Sequence, residues 1–338
     1  MTPTPNILIH EYISGGGWPD HKLPEKLMAE GLSMLRTILA DFRDWGKATV
    51  TTTRDHRLTA FSLPADRVVD LDSSDHYETL KQLTKECTAA LIIAPESGGI
   101  LERLSLLMEQ QRVQLLGSSP GSIARAANKW DCYRLFHQAG LATPDTWYVS
   151  IKNAIKTAEE IGYPLVLKPI DGVGCEGVGL INDTASLLLA LEKHSCYKDH
   201  LLLQRYIKGH HVSVSLLIAE DAITCLSLNK QSIQIGSSFS YQGGEIPFIC
   251  GRQKEAFDLA KRAATLLYGL KGYVGVDMLI TDKGCYLIEI NPRLTTSYTG
   301  LRKVVNINLA GAIWDASIEG ILPQKICLSG KALLRNED

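Results

Sequence analysis

The chain has 338 residues, 45% of them hydrophobic and 21% charged, with a net charge of −2. That composition supports a substantial core in two or three domains and excludes a disordered chain, while the charge balance lacks the basic excess of a nucleic-acid binder. No apolar run reaches the about 18 residues a membrane span needs. MTPTPNILIH shows neither a basic n-region nor an apolar h-region, and none of the eight cysteines forms a C-x-x-C pair; the expectation is a cytoplasmic protein with reduced, packed thiols.

The first 125 residues alternate strand and helix patterns. NILIHEY (6–12) reads as a strand and 24–46 as a helix, with apolar positions three and four apart. KATVTTT (47–53) and RVVDL (67–71) read as strands, and AALIIAP (89–95) as a strand buried on both faces. Residues 99–111 read as a helix and 113–119 as a further strand. This rhythm predicts an open parallel sheet with helices on both faces, an α/β class fold. Gly15–Gly17 follow the first strand, but Pro19 interrupts and no G-x-G-x-x-G forms, which speaks against a dinucleotide loop. Loops at the carboxyl ends of parallel strands still face ligands, and AALIIAPESGG ends in a second such loop, with Glu96.

Beyond residue 125 the pattern changes. Helices are expected over 129–140 and 150–162, a strand at PLVLKP (164–169), a glycine-rich loop at DGVGCEGVG (171–179), a return strand GVGLI and a helix over 183–194. The chain then turns strand-rich, an α+β organisation. LLLQRYI (201–207) is followed by strands over 211–220 and 223–233 joined by a tight AEDA turn. A helix over 254–270, a hairpin of GYVGVDMLIT and CYLIEINPR, a helix over 308–320 and a strand KALLR complete the pattern.

Glu289, Asn291 and Arg293 alternate by two and share one strand face, with Asp277 on the paired strand. Three oxygen donors beside a guanidinium suit Mg²⁺ and a polyphosphate. A solvated face with a structural ion pair is the competing reading. Lys168 ends a buried strand and precedes Gly172, Gly174, Gly177 and Gly179. Such a loop can close its N–H groups over phosphates, although it is not a Walker motif, and a plain flexible turn remains the alternative. Lys129 alone would be a surface lysine. Gln204-Arg205-Tyr206-Ile207 before a glycine turn suits a hinge whose backbone pairs with an adenine edge.

In this order these segments resemble the ATP-grasp superfamily, over roughly residues 120–310. The resemblance implies three parts: a pre-ATP-grasp domain (1–125), a lid (126–207) and a C-terminal subdomain with an antiparallel central sheet (208–338). It implies that Lys129 and Lys168 bind ATP phosphates under a lid loop spanning Gly172, Gly174 and Gly177. Gln204, Arg205, Tyr206 and Ile207 would hold adenine, and His211 the ribose where many members carry glutamate. Asp277, Glu289 and Asn291 would bind Mg²⁺, with Mn²⁺ a substitute, while Arg293 and Lys168 would be catalytic. Glu11, Gly16 and Glu96 would line the acceptor pocket, and Lys230 and Gly243 would reach towards it. The implied chemistry joins a small-molecule carboxylate to an amine through an acyl phosphate, with no nucleic acid or membrane involved. A homodimer is the ordinary form an oligomer would take. The EYISGGG start, the APESGG loop and LNKQ are similar to the tyramine–glutamate ligase branch, which serves methanofuran-type cofactor synthesis. A biotin-carboxylase-like or purine-pathway carboxylase, an ATP-grasp kinase and a nucleotide-binding regulator are the competing readings.

Overall fold

Continuous apolar runs at the ends of βα units build the first layer. Strands β1 (Asn6–Glu11), β2 (Thr49–Asp55), β3 (Arg67–Leu71), β4 (Ala89–Ile93) and β5 (Gln114–Leu115) pair in parallel, in the order β3-β2-β1-β4-β5. Helices α1 (Glu25–Trp45), α2 (His76–Leu83) and α3 (Ile100–Gln110) cover the sheet. Alternation along β1 and β4 divides its faces. Ile7, Ile9, Leu91 and Ile93 join the core containing Leu35 and Leu39 of α1, whereas Leu8, Ala90 and Ile92 join the core containing Leu80 and Leu104. The strand order reverses between β1 and β4, and their carboxyl ends open the crevice in which such sheets hold ligands. Glu11 and Glu96 stand at those two ends.

The computed structural model describes residues 4–172, 174–193, 199–220 and 222–335. Val173 of the glycine loop, His194 of the helix expected over 183–194 and Asp221 of the AEDA turn fall outside them. Pro120 opens α4 (Pro120–Ala127), and the Asn128 side chain accepts from the N–H groups of Trp130 and Asp131 to cap α5 (Lys129–Gln138). That cap fixes Lys129 as the first residue of its helix. Strands β6 (Thr146–Ser150), β7 (Leu165–Lys168), β8 (Gly179–Ile181) and β9 (His200–Arg205) form an antiparallel sheet in the order β6-β9-β7-β8. With α6 (Ala154–Ile161) and α7 (Thr184–Lys193) it encloses its own small core, including Leu165, Leu167, Leu187 and Leu203.

The largest sheet is antiparallel and runs β14-β13-β10-β11-β12-β15. Its strands are β10 (His210–Ala219), β11 (Ala222–Gln234), β12 (Ser240–Ile246), β13 (Gly272–Thr281), β14 (Gly284–Asn291) and β15 (Ala332–Arg335). Helix α8 (Gln253–Thr265) covers the face bearing Val212, Val214 and Leu228. The opposite face carries Ser213, Ser215, Asn229 and Asp277. Short helices α9 (Ser297–Leu301) and α10 (Leu309–Trp314) return the chain towards α1.

The expected helix over 308–320 forms as α10 and a π-helical continuation, Asp315–Glu319, which ends at Gly320. The one expected over 150–162 runs as a 3-10 turn, Ile151–Asn153, and then α6; only Ser150 belongs to the preceding strand β6, which had not been expected. Strand β12 had no readable pattern because two glycines replace its alternating side chains. A Cβ at Gly243 would stand 2.1 Å from the Leu334 carbonyl oxygen, and one at Gly244 2.5 Å from that of Lys230. The flanking strands approach too closely for any other residue.

One buried polar joint ties the first layer to the last. Asp41 of α1 accepts a hydrogen bond from the Tyr298 hydroxyl at 2.5 Å and pairs with Arg302 Nε at 2.6 Å. Burial raises the Asp41 carboxyl above its ordinary range despite both partners. Tyr298→Phe, which strips one hydrogen bond from this carboxylate, is expected to lower stability by about 2 kcal/mol in urea unfolding. An unchanged midpoint and slope would show that Arg302 alone satisfies Asp41.

Candidate active site

A cavity of about 280 Å³ lies where the three sheets meet. Its floor is the β13–β14 hairpin, whose register sets Asp277 directly opposite Glu289. Asp277 accepts hydrogen bonds from Asn291 Nδ2 and Gln231 Nε2, both at 3.1 Å. Removal from solvent, then the neighbouring Glu289, push its carboxyl up to about 7. Glu289 feels the same burial, yet Lys129 outweighs it and holds the carboxyl below its ordinary range. Lys129 Nζ lies 2.7 Å from Glu289 Oε2 and also donates to the Gly172 carbonyl at 2.9 Å. One ammonium thus links the cap of α5, the floor strand and the glycine loop. Lys168 ends β7 inside the cavity, where burial and then the Lys129 charge push it down to about 8. It donates to Gln204 Oε1 at 3.2 Å, and Gln204 Nε2 donates in turn to Thr146 Oγ1 at 2.8 Å.

The glycine loop crosses above the floor. Gly172 and Gly174 line the cavity, and Gly174 and Gly177 hold positive φ angles of 61° and 68°. Asp171 anchors the loop to the first domain by accepting from the Gly98 N–H at 3.3 Å. Arg205, Tyr206, Ile207 and His211 form one end of the wall beside Val166, Met278 and Leu279. The apolar side chains of Val166, Ile207, Met278 and Leu279 at this end suit the faces of a purine ring. Burial lowers the His211 pKa, which favours a neutral imidazole there.

The opposite end is acidic. Arg293 Nε donates to Glu96 Oε1 at 2.9 Å, and Glu96 raises the guanidinium pKa against the effect of burial. Glu96 Oε2 is buried with no hydrogen-bond partner among the described residues. Glu11 Oε2 accepts from both the backbone N–H and the hydroxyl of Ser14, each at 2.6 Å, while burial raises its carboxyl pKa. Gly31, inside α1, makes room for this carboxylate: a Cβ there would sit 2.6 Å from Glu11 Cδ. The preceding residue, Glu30, and Lys26 a turn before it also face the cavity, with Lys26 Nζ donating to the Tyr241 carbonyl at 2.8 Å.

The structure therefore brings together Glu11, Lys129, Lys168, Gly172, Gly174, Gln204 through Ile207, His211, Asp277, Glu289, Asn291 and Arg293, with Glu96 held just behind Arg293. Gly16, Gly177, Lys230 and Gly243 stand outside the cavity wall. Gly16 packs against Leu71, where a Cβ would approach to 2.6 Å; Lys230 points to the other sheet face, over Phe248; Gly243 packs on β15. Sequence reading passed over Lys26, Glu30, Gly31, Ser213, Tyr241, Thr295 and Ser297, all in the wall. Gly31 alone carried a signal, since a glycine inside a strong helix pattern costs about 1 kcal/mol and asks for a packing reason.

The residues at the floor fit a divalent cation. Two facing carboxylates with Asn291 beside them supply hard oxygen donors, and their mutual repulsion, visible in the raised Asp277 pKa, is what a dication would relieve.

The ATP-grasp domain model matches residues 126–297, and the pre ATP-grasp 3 domain model matches residues 48–123. Tyramine–L-glutamate ligase of Methanocaldococcus jannaschii is 30% identical over 302 residues, spanning 88% of this chain and 84% of that protein. D-alanine–D-alanine ligase of Geobacter sulfurreducens is 29% identical over 226 residues, 64% of this chain and 70% of its own. Among solved structures, an ATP-grasp superfamily protein from Archaeoglobus fulgidus superposes with a TM-score of 0.71 at 24% identity, covering 98% of both chains. Biotin carboxylase of Campylobacter jejuni gives 0.76 at 19% identity, over 97% of this chain and 74% of that one.

The Gly31–Glu11 contact makes a signed prediction. Gly31→Ala should destabilise the protein, although alanine favours a helix by about 1 kcal/mol. In a Glu11→Ala background the same change should become stabilising. Equal effects in both backgrounds, measured by denaturant unfolding, would show that Glu11 is not the constraint on position 31.

Proposed function

The chain belongs to the ATP-grasp family, and from that premise we propose that it is an ATP-dependent carboxylate–amine ligase that joins L-glutamate to tyramine or a close aromatic amine. The observation that carries this reading is the division of one cavity into two ends. Lys129, Lys168 and the Asp277–Glu289 pair furnish a phosphate end and Glu11 an ammonium end, and Arg293, held from behind by Glu96, stands between them.

In this reading Gln204 to Ile207 receive adenine, His211 the ribose, and Lys129 and Lys168 the phosphates, with Gly172 and Gly174 above them. Asp277, Glu289 and Asn291 would hold Mg²⁺, which neutralises charge on the transferring phosphoryl group. A carboxylate oxygen of glutamate attacks the γ-phosphorus, and ADP leaves. The amine nitrogen then attacks the acyl carbon, inorganic phosphate departs and the nitrogen loses a proton. The Arg293 guanidinium faces the charge that develops on the acyl oxygen, and Glu96 keeps its fork fixed. The loop excludes water from the acyl phosphate. Glu11 pairs with the incoming ammonium group and takes the proton that it must lose before its nitrogen attacks, while Ile13, Leu27, Met34 and Ile93 furnish an apolar wall for the body of an aromatic amine. The likeness to tyramine–L-glutamate ligases supports this substrate pair, and with it a place in the synthesis of a methanofuran-type one-carbon cofactor.

The test is ADP release from Mg²⁺-ATP with glutamate and tyramine, run beside a hydroxylamine trap. Glutamyl hydroxamate with glutamate alone, and amide with tyramine, are expected. A stable phosphorylated product without hydroxamate would replace the ligase by a kinase. Glu289→Gln and Arg293→Ala should each lower kcat by about 10²–10³-fold; near-normal turnover in either would remove its assigned role.

Lys168 adds a pH signature. With its pKa at about 8 it is cationic below that pH and neutral above. The kcat/KM for ATP should therefore decline above about pH 8, because that ratio reports the free enzyme. A flat profile to about pH 9 would mean that the Lys168 charge does not serve the phosphates.

A further inference from the structure

Beneath the ISGGG turn lies a buried polar cluster that takes no part in the chemistry above. His10 Nε2 and His76 Nε2 are 3.0 Å apart, and His10 Nδ1 is 2.7 Å from Thr53 Oγ1. His10 and Thr53 are fully buried and His76 nearly so. At 3.0 Å one imidazole must donate its Nε2 proton while the other accepts, so the accepting ring is neutral and the two rings hold complementary hydrogen-bonding roles. Burial, which lowers both pKa values, is consistent with that.

We propose that the His76–His10–Thr53 cluster positions Glu11, and through it sets how well the site holds the ammonium of its amine substrate. This inference rests on the proposed role of Glu11. The physical connection is short. The turn 13–17 lies directly on the cluster: a Cβ at Gly15 would come within 2.7 Å of Thr53 Oγ1 and 2.9 Å of His10 Nδ1. The same turn carries Ser14, whose N–H and hydroxyl both clamp Glu11 Oε2. Gly17 N–H closes the turn on the Tyr12 carbonyl at 2.8 Å, and the Tyr12 ring meets His76 edge-on at 5.6 Å. A turn resting on a hydrogen-bonded His10 and Thr53 presents Ser14 at one height. A turn resting on loosened partners does not, and Glu11 moves with it. His76, Thr53 and His10 are positioning residues, since none of them lines the cavity.

The test compares His76→Ala with His76→Gln, whose amide can restore a hydrogen bond to His10, and adds Thr53→Val in case the alanine variant does not fold. Two readouts are taken. Amide hydrogen exchange over residues 12–17 should quicken about tenfold in His76→Ala and Thr53→Val and return towards wild type in His76→Gln, as the loss of one net hydrogen bond requires. The KM for tyramine should rise about tenfold in the first two variants, with the KM for ATP and the rate of glutamyl hydroxamate formation unchanged. Wild-type exchange in this turn, or KM values for ATP and tyramine that rise together, would overturn the proposal. If the wild-type protein makes no amide with tyramine, the functional reading fails. The exchange comparison then decides the positioning role by itself.

Discussion

Everything in the cavity depends on how two opposed carboxylates are kept tolerable. The β13–β14 register forces Asp277 against Glu289, and each charge there has lost most of its water. The chain resolves the conflict unequally. Glu289 takes Lys129 and stays ionised, whereas Asp277 receives, among the described residues, the amides of Asn291 and Gln231 and drifts towards neutrality. This asymmetry is a stored demand for positive charge. Lys168 shows the mirror of it: a cation crowded by burial and by another cation, and so ready to release its proton or to gain a phosphate. A Mg²⁺–polyphosphate would satisfy both demands at once, because it carries the cation towards Asp277 and the anion towards Lys168.

The same demand explains why three sheets enclose one site. The small sheet packs a core of its own, whereas the parallel and the central sheet share one, in which Ile7 and Ile9 join Leu217, Leu226 and Tyr273. What crosses between them near the cavity is polar: Lys129 to Gly172, Arg293 to Glu96, Asp171 to the Gly98 N–H, Lys26 to Tyr241. Such contacts are directional and lose their value over an ångström, so they fix orientation more than they add stability. The polar face of the central sheet continues this logic. Asn229 bridges Ser213 and Ser215, Ser215 meets Tyr273, and Ser213 meets Ser297 at the cavity wall. A satisfied network of this kind holds its members rigidly, which suits a surface that must present hydroxyls at fixed positions.

The parts of the site that lie within one element were legible from sequence. Period-two spacing placed Glu289 and Asn291 on one face, and the short turn between β13 and β14 delivered Asp277 to them. The glycine spacing after Lys168 announced a loop close to backbone or ligand, and the continuous apolar runs of β1 and β4 announced a parallel sheet buried on both sides. What stayed hidden depends on long-range approach. Strand β12 has no alternation to read because Leu334 and Lys230 carbonyls press on Gly243 and Gly244. β6 was masked by the helix pattern that follows it. Lys26 and Glu30 look like an ordinary solvated i,i+4 pair, and only the docking of α1 over the cavity gives them a function-facing position. Lys230 and Gln231 are adjacent in sequence, yet the strand pleat sends them to opposite faces; spacing alone could not say which faced Asp277.

The triple glycine shows how a motif can matter without touching a ligand. Its place after β1, at the reversal of strand order, is where a phosphate loop would stand in a dinucleotide-binding sheet. Here a π-type turn folds back instead of opening into a helix N-terminus, so no fan of free N–H groups is presented. Each glycine answers a different neighbour: Gly15 meets His10 and Thr53, Gly16 meets Leu71, and Gly17 meets the Tyr12 ring. The turn is thus pressed into the protein on three sides, while Ile13 lines the cavity and Ser14 clamps Glu11. With Gly31 removing the helix side chain that would collide with Glu11, two backbone-level absences and one hydroxyl define where a single carboxylate can sit. A position defined by exclusion on all sides tolerates little displacement, and that intolerance gives a buried acid the geometry of a binding group.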